Sequence, residues 1–181
     1  MSRRIILSGV HGVGKGYFIK HKIAKYRNIF TVSASAIISE YRDSEDAGNK
    51  RVKDVESNQN LLMMSLNKYL KTHTETIVLD GHLVILDAHD YIQRIPKNFF
   101  TEGMFDTVLI LYDDPKKIYE RMFKRDGKHK LSIELIDAIQ KAERAYAEEL
   151  KDMGIDVYYI TLDDEEVCAK LFEEERKQWN I

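Results

Sequence analysis

Gly9-Val10-His11-Gly12-Val13-Gly14-Lys15-Gly16 lies between an apolar run, Ile5-Ile6-Leu7-Ser8, and a segment of helical character. Glycines let the chain turn tightly and bring amide N–H groups inward without obstruction by side chains. Amides converging at a helix start carry partial positive charge, so this strand–turn–helix order is the context of a phosphate-binding loop. Lys15 adds a mobile full charge suited to β- and γ-phosphates. The strict pattern G-x-x-x-x-G-K-[ST] is met except at its last place, where Gly16 stands for the hydroxyl residue. Lys15 is expected to be exposed, so that alanine there removes turnover and hardly alters stability.

Outward from this loop, short apolar runs alternate with helical periodicities. Strands are predicted at 3–8, 29–32, 77–80, 107–112 and 156–161. Helices are predicted at 14–26, from 33–35 towards 41, and at 52–71, 115–125, 132–153 and 165–178. Val55, Leu62 and Leu66 recur at mostly helical intervals, and Leu135, Ile139, Ala142, Tyr146 and Leu150 form one apolar stripe. Such alternation favours a parallel sheet covered on both faces. The polar stretch 43–49 is expected to be a loop. Leu83-Val84-Ile85-Leu86 and Tyr91-Ile92-Gln93-Arg94-Ile95, around Asp87-Ala88-His89-Asp90, break the rhythm and predict a small β-hairpin.

A chain of 181 residues suits one domain. With 44% hydrophobic and 32% charged residues it can build a core and dissolve, which excludes a disordered chain. No apolar run approaches the ~20 residues that span a bilayer, and no signal peptide follows Met1, so a cytoplasmic protein without a membrane partner is expected. The single cysteine, Cys168, excludes an internal disulfide framework and reads as an ordinary helix residue. Met63-Met64 reads as packing. A net charge of −2 argues against a protein that coats nucleic acid.

The loop form G-x-x-G-x-G-K-G resembles that of adenylate kinases and related nucleoside monophosphate kinases, with His11 where proline is common and Tyr17 where threonine is usual. Asp80-Gly81-His82, at the end of the third strand, is similar to the aspartate-x-histidine of the short-lid archaeal and nuclear adenylate kinase-like branch. The Pro-Arg pair of ordinary adenylate kinases is replaced here by Leu83-Val84. The resemblance implies a three-layer α/β P-loop kinase fold, with a mostly parallel five-stranded sheet, helices on both faces and the small hairpin. Residues 1–181 form one domain, with an acceptor-binding region at 33–74, a hairpin insertion at 83–96 and a short lid at 122–131.

It further implies ATP and Mg2+, with Gly9, Val10, His11, Gly12, Val13, Gly14, Lys15, Gly16 and Tyr17 lining the nucleotide phosphates. Asp80 is the expected metal residue, as its strand-end position also suggests. Lys15, Arg121, Arg125 and Arg144 are expected to stabilise charge during transfer, and His82 to position an acceptor or a water. Arg121 and Arg125, four apart, share a helix face next to the basic stretch 124–130, and positive groups that exclude water suit phosphoryl transfer. On the acceptor side Arg42 or Arg51 could hold a phosphate and Gln59 could read a base edge.

The function these residues predict is transfer of the ATP γ-phosphate to a nucleoside monophosphate or similar small acceptor. Alternatives are an ATPase switch with a protein or RNA partner, a kinase of another small molecule or a polynucleotide end, and a nucleotide-holding module without chemistry.

Overall fold

The computed structural model describes residues 2–45, 55–127 and 131–172. Its elements in chain order are β1 (Arg4–Ser8), α1 (Lys15–Phe18), β2 (Ile29–Ser33), α2 (Ala34–Glu45), α3 (Val55–Thr72), β3 (Thr76–Asp80), β4 (Val84–Leu86), β5 (Ile92–Arg94), α4 (Asn98–Thr101), β6 (Thr107–Leu111), α5 (Pro115–Asp126), α6 (Ile133–Asp152), β7 (Asp156–Ile160) and α7 (Glu166–Phe172). Five strands form one sheet in the order β2-β3-β1-β6-β7, and all its pairings are parallel. β4 and β5 pair antiparallel, Val84 opposite Arg94 and Leu86 opposite Ile92. Asp87 shapes the connecting turn by accepting the amides of His89 (2.8 Å) and Tyr91 (3.0 Å) on Oδ1, the local bonding that suits aspartate to turns.

The central strands read as unbroken apolar runs because helices cover both faces. Ile5, Leu7, Val78, Leu109 and Leu111 pack with Phe18, Ile118 and Met122 and with Cys168, Leu171 and Phe172 of α7. Ile6, Ile77, Leu79, Val108 and Ile110 face Leu62, Leu66, Phe99, Tyr146 and Leu150 on the other side. This alternation along each strand produces a three-layer α/β fold, as the sequence predicts. Asp114, with Pro115 behind it, caps α5 by accepting the Lys116 amide at 2.7 Å, and Ser132 caps α6 by accepting from Leu135 at 3.2 Å.

Several predicted boundaries differ. The first helix is α-helical only to Phe18; residues Ile19–Ile23 form a wider π-turn, with Ala24 donating to the Ile19 carbonyl at 2.8 Å. Residues 43–45, predicted as loop, continue α2. Residues 46–49 lie outside the described ones, as do 52–54 of the predicted third helix and 173–178 of the last. The short helix α4 was not predicted; at four residues it carries too little periodicity, although its buried Phe99 and Phe100 pin the chain after the hairpin. Among the described residues no helix is long and apolar enough to cross a membrane.

Candidate functional site

The site forms where β1 and β3 end side by side, Leu7 being level with Asp80. β1 lies between β3 and β6, so the loop that leaves it emerges at the carboxyl edge of the sheet, where crevices in such folds receive ligands. Val10 and Val13 are buried and join by a Val13 N–H to Val10 carbonyl bond of 3.1 Å, which folds residues 10–13 into a compact turn. Gly12 has φ +85°, a left-handed conformation that favours glycine. At Gly9 a Cβ would stand 2.5 Å from the Leu111 carbonyl oxygen and 2.9 Å from Val13 Cγ1. Backbone cannot yield as a flexible side chain can. Gly9→Ala is therefore expected to destabilise the fold by about 3 kcal/mol, seen as a lower urea midpoint. Gly16→Ser, with nothing within 4 Å of a Cβ at Gly16, should leave that midpoint unchanged.

Lys15 is buried, at 9% exposure, which corrects the expectation of an exposed side chain. Its stem is enclosed while its ammonium is held inside the loop: Nζ donates to the Gly9 carbonyl at 2.9 Å, lies 3.3 Å from His82 Nε2 and 3.8 Å from Asp80 Oδ1. An ammonium only donates, so His82 Nε2 accepts and the ring proton sits on Nδ1. Burial lowers the Lys15 pKa despite the opposing charges of Asp80 and Glu143. Burial likewise raises that of Asp80 against the pull of Lys15. His82 is pushed down to about 3, first by burial and then by the charge of Lys15 and His11. It is a neutral imidazole across the physiological range.

The arginines serve different contacts. Arg121 donates to the Val13 carbonyl at 2.6 Å and pairs with Asp113, tying α5 to the loop and to the end of β6. Arg125 donates to His11 Nε2 at 3.1 Å and to both oxygens of Asp126. The His11 pKa is lowered by burial, then by Arg125 and Lys15. Arg144 is directed elsewhere: its guanidinium packs 4.8 Å from the Tyr159 ring and 5.7 Å from the Tyr112 ring, a cation–π arrangement. Tyr17 points outward, 55% exposed, with its ring against His21. The helix α5 occupies 122–126 of the segment read as a lid, and residues 128–130 lie outside the described ones. So do Arg51 and the side chains of Arg42 and Gln59.

Sequence reasoning missed a buried pair under the loop. Ser8 Oγ donates to Glu143 Oε1 at 2.6 Å and accepts the Leu83 amide at 2.7 Å, and both side chains are fully buried. Glu143 Oε2 has no hydrogen-bond partner among the described residues, although the amides of Gly9 and Leu83 face the carboxyl. Burial pushes the Glu143 pKa up to about 7, opposed by the Ser8 hydroxyl and the Lys15 charge. The one available signal was an acid flanking the apolar stripe of α6, next to Ala142.

Residues 8–140 match the model of a protein family described as AAA domain. The fold is similar to that of a tunicamycin resistance protein from Deinococcus radiodurans (TM-score 0.63, 15% identity), covering 97% of this chain and 96% of that one. It is also similar to a gluconokinase from Sinorhizobium meliloti 1021 (TM-score 0.56, 14% identity), with 98% of each chain covered. No curated protein sequence shows significant similarity to this chain.

Proposed function

Because the chain belongs to the AAA domain family of P-loop nucleotide-binding proteins, we propose that it is a phosphotransferase that moves the γ-phosphate of ATP to a small-molecule acceptor. The observation that carries this is the convergence of Lys15, Asp80 and His82 at the adjoining ends of β1 and β3. In this reading the cation would meet the phosphates, the carboxylate would stand at the metal position and the imidazole on the acceptor side. Phosphoryl transfer asks chiefly for positioning and for stabilisation of spreading negative charge. In this assignment Lys15 neutralises the phosphoryl oxygens, and Arg121 and Arg125 hold the loop and its tip in shape. Arg144, packed on aromatic rings, takes no direct part.

The residues present fit magnesium. This ion keeps most of its waters and needs one or two carboxylates beside the phosphates; Asp80 supplies one, and the space over Gly16 leaves room where a hydroxyl would stand. Magnesium, when bound, would neutralise charge between the β- and γ-phosphates. The finer assignment, an adenylate kinase-like enzyme of the short-lid type, is supported by the loop form and by Asp80-Gly81-His82, and makes a nucleoside monophosphate a natural acceptor to assay.

Isothermal titration with ATP and magnesium, followed by product analysis over a panel of acceptors, tests the proposal. Binding with phosphorylated acceptor and ADP as products is the expected outcome. A folded protein that binds no ATP overturns it. Free phosphate released only with a protein or RNA present would favour the ATPase switch instead.

A further inference from the structure

Two cavities flank His82. The larger, about 440 Å3, runs between the loop, β4, α5 and the start of α6, with Val84, Leu86, Met122, Leu131 and Ile139 in its wall. The smaller, about 210 Å3, opens between β3, α2, α3 and α4, with Ile38, Leu62, Leu79, Phe99 and Phe105 around it. His82 and Ile85 line both. Among the described residues the other polar side chains are His11 and Asp126 in the larger cavity and Ser35 in the smaller. Neither lining contains a lysine or arginine among the described residues, and Arg125 at the rim is matched by Asp126.

We infer that the phosphate acceptor is a neutral, apolar-bodied alcohol, its hydroxyl placed at His82 beside Lys15 and its body held in these two cavities. This rests on the phosphotransferase reading above and narrows its substrate class. Among the described residues the cation beside His82 is Lys15, already engaged by the Gly9 carbonyl, His82 and Asp80, so an acceptor phosphate or carboxylate seated in either cavity would shed its hydration without a cation of its own, and burial of an unpaired charge is strongly unfavourable. A polyol would leave hydroxyl after hydroxyl without a partner, since the walls offer so few polar groups. A single hydroxyl on an apolar frame meets neither penalty, and small-molecule sites commonly pair apolar walls with a few convergent polar groups. In the reaction the acceptor oxygen forms a bond to the γ-phosphorus. The bond from that phosphorus to the bridging oxygen breaks, and its electron pair leaves on ADP. The hydroxyl proton passes late, through the phosphoryl oxygens, to water.

The test uses the full chain with ATP and magnesium and four acceptors: 2-phenylethanol, 1-octanol, AMP and D-gluconate. ADP formation reports turnover, and saturation-transfer NMR reports alcohol binding without ATP. The expected result is a kcat/KM for the alcohols at least about tenfold above those for AMP and D-gluconate, the scale on which such pockets discriminate. Ile85→Arg, which sets a charge in the shared wall, should lower alcohol turnover by a similar factor and leave ATP affinity unchanged. Faster turnover of AMP or D-gluconate, or alcohol turnover unaffected in Ile85→Arg, overturns the inference and leaves the phosphotransferase standing. Alcohol binding without any ATP binding would overturn the phosphotransferase instead.

Discussion

Lys15→Ala is expected to lower phosphoryl transfer about a hundred- to a thousand-fold, the usual cost of removing one preorganised charge from a site where negative charge develops. The ammonium sits within reach of the Gly9 carbonyl, His82 and Asp80, and among the described residues these partners supply no second cation at that point. Stability should move by less than about 1 kcal/mol, because two terms oppose. The variant loses a buried hydrogen bond and leaves Asp80 without its partner, yet it also removes a cation whose burial is unfavourable, as the lowered Lys15 pKa shows. ADP release and urea denaturation measure the two effects separately. A variant that retains turnover, or one that fails to fold, contradicts the placement.

The second large effect is a change in how stability depends on pH. Glu143 ionises near 4.5 in an unfolded chain and at about 7 in the folded one. Below pH 4.5 both states carry the proton and the group is silent. Between 4.5 and 7 the folded state alone keeps it, so stability falls as pH rises, by about 3 kcal/mol in total, and is level above 7. Glu143→Gln removes this slope and retains an oxygen to accept from Ser8. Subtracting variant from parent across urea titrations at pH 4.5, 6 and 8 isolates the group, since other titrating side chains cancel. An equal pH dependence in the two proteins would place the carboxyl somewhere less buried.

Where local signals suffice, the sequence is informative. The loop announces itself because strand, glycines, lysine and helix are consecutive, and Asp80 because an acid ending an apolar run stands out. The hairpin was visible because alternation and turn residues sit side by side. Ser8 and Glu143 were not visible, being 135 residues apart and joined only once α6 lies across the sheet. Arg144 was named from family position, and its packing against Tyr112 and Tyr159 was not visible in the sequence, because only the fold brings those rings to its guanidinium. Lys15 was misjudged for a related reason, since enclosure of a side chain depends on what the fold brings over it.

The bridge from the Leu83 amide through the Ser8 hydroxyl to Glu143 has a consequence for biogenesis. The foot of the nucleotide loop is braced by pieces from the beginning, middle and later part of the polypeptide. On a ribosome, a nascent chain released before α6 has emerged would own every glycine of the loop and yet lack its brace. The loop's brace is therefore complete only after α6 has been made and has docked on the sheet.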